Sequence, residues 1–216
     1  MDPRHERLAE IALTAGGRFG FALAGGYAVS AHGMGNRLSG DVDLFTDWQR
    51  RGDFVLAVDE VVAALTDHGF DVSEVIRTDT FARLLLTDRS QAGSEPDKLE
   101  LSADWRAHAP VQLEIGPVLH PDDAVANKMI ALYGRAAARD FLDVDAAIAS
   151  GRYTREHLLA LASSADSGFV RERFAQALGV LSRITDADFA LYGLPAGHLS
   201  EMRERFGQWR EELLGG

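Results

Sequence analysis

Asp41 and Asp43 stand two residues apart in the run Arg37-Leu-Ser39-Gly-Asp41-Val-Asp43-Leu-Phe45. Successive side chains on a strand alternate faces, so the two carboxylates point the same way while Val42 turns into the core. Two carboxylates on one face repel unless a cation lies between them. Hard oxygen ligands of that kind suit Mg²⁺ carrying a triphosphate. Fifteen positions before Asp41, Gly25-Gly26 closes the apolar run Phe19-Gly-Phe-Ala-Leu-Ala24. A di-glycine turn opening a helix lets the backbone come close to phosphates and presents free N–H groups at the positive end of the helix dipole. Either feature alone is weak; together they predict nucleotidyl transfer.

The elements that must position these residues follow from periodicity and turn chemistry. Residues 3–15 have helical spacing, with Leu8, Ile11, Ala12 and Ala15 on one face and Gly16-Gly17 at the end. A strand is expected over 19–24, a short helix over 27–34 and a second strand over 41–46. Residues 54–67 form a strongly amphipathic helix, with Phe54, Val58, Val61, Val62 and Leu65 inward and Gly69 beyond its end. Strands at 72–77 and 80–87 flank the turn Thr78-Asp79, residues 90–97 read as a loop, and 98–103 alternates as a strand. Short extended pieces follow at 111–115 and 118–119, and Pro121-Asp122-Asp123 caps a helix running to Gly134. Beyond Arg139 the pattern is helical, at 139–149, 154–164, 169–182 and 198–213. Strands interleaved with helices and then helices alone describe a mixed sheet with a helical appendage, divided near Gly151.

Asn127-Lys128-Met-Ile-Ala-Leu-Tyr133-Gly-Arg135 is the other unusual passage. Lys98 and Lys128 are the two lysines among 22 basic residues. A compact ammonium within an apolar helix suits a phosphate or a reacting hydroxyl, although such a lysine can also simply snorkel to the surface. Arg135 lies two turns further along the same helical face. Arg139, Asp140 and Asp143 either join this chemistry or form, with Arg135, a buried ion network that fixes helix packing. Glu100, on the polar face of its strand, completes a carboxylate triad with Asp41 and Asp43, with Asp104 and Glu114 as alternatives. Ser39 either bonds a phosphate or shapes the turn beside Gly40. His32 and His68 read as packing or capping residues, and Trp105 and His108 as a loop pair able to stack a base.

Taken in order, Gly25-Gly26-Tyr-Ala-Val-Ser-Ala-His32, Arg37 to Phe45, the acid at Glu100, Asn127 to Arg135 and Arg139-Asp140-Phe-Leu-Asp143 resemble the AbiEii/AbiGii toxin family of nucleotidyltransferases, including the MenT-type toxins. The resemblance spans residues 20–148. It implies a polymerase-β-like fold of the α/β (α+β) class, a nucleotidyltransferase domain over 1–150 and a helical subdomain over 151–216. It further implies Mg²⁺ as cofactor and transfer of a nucleotide from an NTP, CTP or UTP, to an RNA 3′ end. The acceptor stem of tRNA is the expected target, and the modification would block translation. Carried over by position, Asp41, Asp43 and Glu100 would hold metal. Gly25, Gly26, Arg37, Ser39, Lys128 and Arg135 would bind the nucleotide, and Lys128 and Asp140 would join the catalytic set. Glu100 stands where relatives more often carry aspartate, and the helices after 150 carry no motif of the family. A cognate antitoxin is the implied protein partner, and a kinase-like antitoxin would act on Ser39.

Composition narrows the classes. With 46% apolar and 25% charged residues the chain reads as globular. It contains no cysteine, which excludes disulfides, thiolate zinc sites and cysteine nucleophiles. No apolar run nears the roughly 20 residues that span a bilayer, and the N-terminus lacks a signal-peptide pattern, so a cytoplasmic protein without membrane contact is expected. The net charge of −11 opposes non-specific nucleic-acid binding. Residues 1–149 hold 14 Lys+Arg against 24 Asp+Glu, whereas 150–216 hold 8 against 9, so a polyanion meets less repulsion in the C-terminal part. The same charge favours an alternative reading, transfer to a small cationic acceptor resembling an aminoglycoside. A non-catalytic nucleotide-binding protein is the third.

Overall fold

The computed structural model describes residues 1–91, 93–195 and 197–215. Ala92, in the expected loop 90–97, lies outside the described residues. Two compact units emerge, one formed by 1–31 with 38–120, the other by 32–37 with 121–216.

The first unit contains α1 (Pro3–Gly16), β1 (Ala22–Leu23), α2 (Gly25–Ala31), β2 (Val42–Asp47), α3 (Phe54–Asp67), β3 (Phe70–Arg77), β4 (Phe81–Asp88), β5 (Asp97–Asp104), β6 (Val111–Leu113) and β7 (Gly116–Val118). The strands form one mixed sheet in the order β3-β4-β5-β2-β1-β7-β6. β2 and β5 are parallel, as are β1 and β7, and the remaining neighbours are antiparallel. Alternation sends Val42, Leu44, Ala82, Leu84, Leu86, Leu99 and Leu101 into the core, all fully buried. α1 and α3 pack together, burying Leu8, Ala9 and Ala12 from one and Ala57, Val58, Val61 and Leu65 from the other. Each large aliphatic side chain buried this way contributes about 1.5–3 kcal/mol.

The strand expected over 19–24 is reduced to Ala22–Leu23. Gly17–Phe19 winds into a 3-10 turn and Gly20, at φ 77°, reverses the chain against Arg50. The short helix opens at Gly25 and closes at Ala31, earlier than expected at both ends. A 3-10 helix over Trp48–Asp53 was not anticipated by periodicity.

The second unit contains α4 (Pro121–Arg135), α5 (Ala138–Ala149), α6 (Arg155–Ala165), α7 (Arg171–Gly179), α8 (Asp186–Ala190) and α9 (His198–Gly215). α4 packs against α5, α6 and α7, and α9 against α7. Phe174, Phe206 and Trp209 form its aromatic core, with Phe174 and Trp209 edge to face at 5.2 Å. Because α4 makes its contacts with later helices, the compact units part at His120–Pro121, and Gly151 lies inside the second unit. Among the described residues no helix is long and apolar enough to cross a membrane.

Candidate active site

The first unit gathers the carboxylates. Asp43 on β2 is the Cα register partner of Glu100 on β5, and Glu100 is in turn the partner of Arg83 on β4. The row Arg83, Glu100, Asp43 therefore crosses three strands on the face opposite the buried leucines. Arg83 Nε donates to Glu100 Oε1 at 2.8 Å. Asp41 immediately precedes β2 and is only 5% exposed. Its Oδ1 accepts from Ser39 Oγ at 3.0 Å, and Lys98 Nζ stands 2.6 Å from its Oδ2 and 3.5 Å from Glu100 Oε1.

Gly25 is required by this arrangement. It sits at φ 61°, and a Cβ there would lie 1.8 Å from Asp43 Oδ2. The adjacent Ala24 N–H donates to the Asp43 carbonyl at 2.8 Å, which locks the glycine turn onto β2. A second set of contacts holds Ser39. Tyr27 Oη donates to the Ser39 carbonyl at 3.2 Å, His5 Nδ1 lies 2.7 Å from that hydroxyl, and His5 Nε2 lies 3.3 Å from Asp97. His5, Tyr27 and Ser39 are all buried, so the segment before Asp41 is fixed from within the unit. Gly26 occupies the first turn of α2.

Asp43 and Glu100 share a strand face, Asp41 precedes the same strand, and the Lys98 ammonium stands between Asp41 and Glu100; hard carboxylate oxygens of this kind are chemically suited to a divalent cation. Asp41, Asp43 and Glu100 are the residues that could ligate it. Asp104 is the register partner of Asp47, four residues further along the strands, and Glu114 follows the edge strand β6. Burial pushes the Asp104 carboxyl above its ordinary range, opposed by the Trp105 amide.

The second unit gathers the cations. Arg37 grips Asp143 with both arms of its guanidinium, Nε to Oδ1 at 2.7 Å and Nη2 to Oδ2 at 2.8 Å. Lys128 Nζ reaches the same Oδ2 at 3.0 Å, and both Lys128 and Asp143 are buried. Burial alone would raise the Asp143 carboxyl, but Lys128 and Arg37 outweigh it and hold the group below its ordinary range. Beside Lys128, the Asn127 amide nitrogen is buried without a hydrogen-bond partner among the described residues.

Arg135 and Asp140 form a separate pair. Asp140, with no exposed surface, accepts both arms of Arg135 at 2.7 and 2.8 Å and the Ala137 N–H at 3.1 Å. This carboxylate secures the tight α4–α5 connection, where Ala136 takes a left-handed φ of 47°. A third buried acid, Asp145, is held by Arg205 at 2.9 Å on each oxygen and by His198 at 3.2 Å.

The remaining candidates are plainer. His68 closes α3, its ring Nδ1 2.7 Å from the Ala64 carbonyl, and the His32 carbonyl accepts from Arg152. Trp105 is exposed just after β5, and His108 stacks on His120 with ring centroids 4.3 Å apart.

Lys98 is the site residue that motif reading did not assign. Its signal was the i, i+2 spacing to Glu100, which places both on one strand face. Arg83 carried no local signal, because only the pairing of β4 with β5 sets it beside Glu100.

The structure is similar to that of JHP933 from Helicobacter pylori, with TM-score 0.61 at 21% identity, covering 97% of this chain and 90% of that one. It also resembles MenT4, a nucleotidyltransferase toxin from Mycobacterium tuberculosis, with TM-score 0.53 at 16% identity over 98% and 90% of the two chains. At these identities the likeness shows the shared fold. No curated protein matches the chain. In sequence, residues 8–213 match the nucleotidyl transferase AbiEii toxin of Type IV toxin–antitoxin systems, and the chain belongs to that family.

Proposed function

We propose that this protein transfers a nucleoside monophosphate from a pyrimidine NTP, CTP or UTP, to the 3′ end of an RNA, the tRNA acceptor stem, and so blocks translation in the cytoplasm until a cognate antitoxin neutralises it. The single observation that carries the reading is the alignment of Asp43 with Glu100 across β2 and β5, beside buried Asp41 and against Gly25.

In the proposed reaction the RNA 3′-hydroxyl loses its proton to solvent, its oxygen forms a bond to the α-phosphorus, the bond from that phosphorus to the bridging α–β oxygen breaks, and pyrophosphate leaves. Asp41, Asp43 and Glu100 would hold Mg²⁺, which neutralises charge on the triphosphate when bound. Gly25 makes room for the Asp43 carboxylate, the backbone of the Gly25-Gly26 turn would face the phosphates, and Ser39 orients Asp41. Arg37 and Lys128 would contribute positive charge toward the triphosphate, and the Asn127 amide a donor. Asp140 and Arg135, engaged with each other, serve the reaction by holding the α4–α5 turn.

Purified protein incubated with Mg²⁺, each labelled NTP and total bacterial tRNA is expected to label RNA with one pyrimidine, and Asp41→Ala protein is expected to label none. Label appearing instead on an aminoglycoside would replace RNA with a small cationic acceptor. No label on either acceptor with any NTP would overturn the transferase reading of this chain.

A further inference from the structure

We infer that Lys98 is the resident counter-cation of the carboxylate cluster, and that a divalent ion binds by displacing it from Asp41. The inference rests on reading Asp41, Asp43 and Glu100 as metal ligands. Both Asp41 oxygens are already engaged, Oδ1 by Ser39 and Oδ2 by the ammonium at 2.6 Å. A magnesium-sized ion needs a carboxylate oxygen at about 2.0–2.1 Å. It cannot take Oδ2 while a second positive charge sits at hydrogen-bond distance from the same atom. The ammonium also reaches toward Glu100, at 3.5 Å, so it stands between two of the three acids.

The residue type fits the role. Arginine supplies twenty of the 22 basic residues, and a lysine is found at this position. A guanidinium would lock onto a carboxylate in a planar fork, whereas an ammonium is a compact point charge on a flexible stem and can be exchanged for an ion. The Lys98 side chain is 28% exposed while Asp41 is 7% exposed, so the lysine has a path to solvent that the acid lacks. Arg83 differs in reaching Glu100 Oε1 from the neighbouring strand β4. It neutralises the cluster without occupying the Asp41 oxygen.

Mn²⁺ binding, followed by electron paramagnetic resonance on the intact chain without nucleotide, separates displacement from background charge. Lys98→Met is expected to bind Mn²⁺ at least about tenfold more tightly than the wild type, and Arg83→Met less than about threefold more tightly. Equal tightening in the two variants, or none in Lys98→Met, would overturn the inference while leaving the metal site standing. Absence of Mn²⁺ binding in the wild type and in both variants would overturn the metal reading together with it. If Lys98→Met does not fold, the wild type still decides. With two lysines in the sequence, protein carrying ¹³C at lysine Cε gives two side-chain signals. The Lys98 signal is expected to leave its ion-paired position as Mg²⁺ saturates the protein. A Lys98 signal unmoved at saturation would overturn displacement.

Discussion

The two charged clusters of the molecule are inverses of each other. In the first unit three acids, Asp41, Asp43 and Glu100, share the cations Lys98 and Arg83. In the second, one acid, Asp143, lies between Lys128 and Arg37. Counting these side chains alone, the first set sums to −1 and the second to +1. The acid-rich set is assembled by the register of β2 with β5, and the cation-rich set by side chains of α4, α5 and the segment 32–37. Asp145 offers the contrast within the second unit, since Arg205 and His198 surround it with ordinary structural pairings.

The sharpest way to break the comparison is to remove one acid from each set. Asp41→Ala should lower transfer by at least about a thousandfold, roughly 4 kcal/mol of transition-state stabilisation, with the circular dichroism of the fold retained. Activity within tenfold of wild type would remove Asp41 from the reaction. Asp143→Ala should instead act on stability, because it removes the carboxylate shared by buried Lys128 and part-buried Arg37; the expected loss is about 3–5 kcal/mol in chemical denaturation. Adding Lys128→Met to Asp143→Ala should return part of that loss, and a double variant less stable than the single one would show that the charges are not the cause.

Smaller effects sharpen the geometry. Gly25→Ala combines a left-handed φ with a Cβ driven into Asp43 and should cost about 1–3 kcal/mol. Gly17→Ala, which meets nothing within 4 Å, is the control and should be close to neutral in the same denaturation series. The smallest effect concerns pH, and the two units differ in sign. The Asp143 carboxyl is held below its ordinary value of 3.8, so the unfolded chain binds the proton more readily. Its stabilising contribution is fully present above 3.8 and is lost as pH falls through the lowered folded value. The Asp104 carboxyl is raised above 3.8, so its contribution is present at lower pH and is lost as pH rises through the raised value. Asp143→Asn should therefore flatten the acid limb of a stability–pH curve, while Asp104→Asn should relieve a penalty above it. Parallel curves for the two variants would contradict these opposite signs.

Much of the fold was legible where a local rule decides. α3 begins at Phe54 and ends at Asp67, as its apolar spacing predicts; β3 starts two residues before the expected run, β4 is shifted one residue later, and β5 extends its run by one residue at each end. Legibility failed at 19–24, where periodicity cannot register that Gly20 turns the chain. The compact units part at His120–Pro121, because α4 packs with the helices that follow it, whereas the sequence marks Gly151.

By itself the sequence determined which chemistry is available. The spacing of Asp41 and Asp43, the glycine pair before them and the lysine within an apolar helix depend on backbone parity and residue type, which act over a few positions. Tertiary structure alone decided which groups meet. The parallel register of β2 with β5 sets Glu100, rather than Asp104, beside Asp43, and it brings Lys98 to Asp41. The fork of Arg37 on Asp143 joins residues 106 positions apart. Such pairings are fixed by strand register and helix packing, which sum contacts over the whole unit and leave no trace in the local pattern.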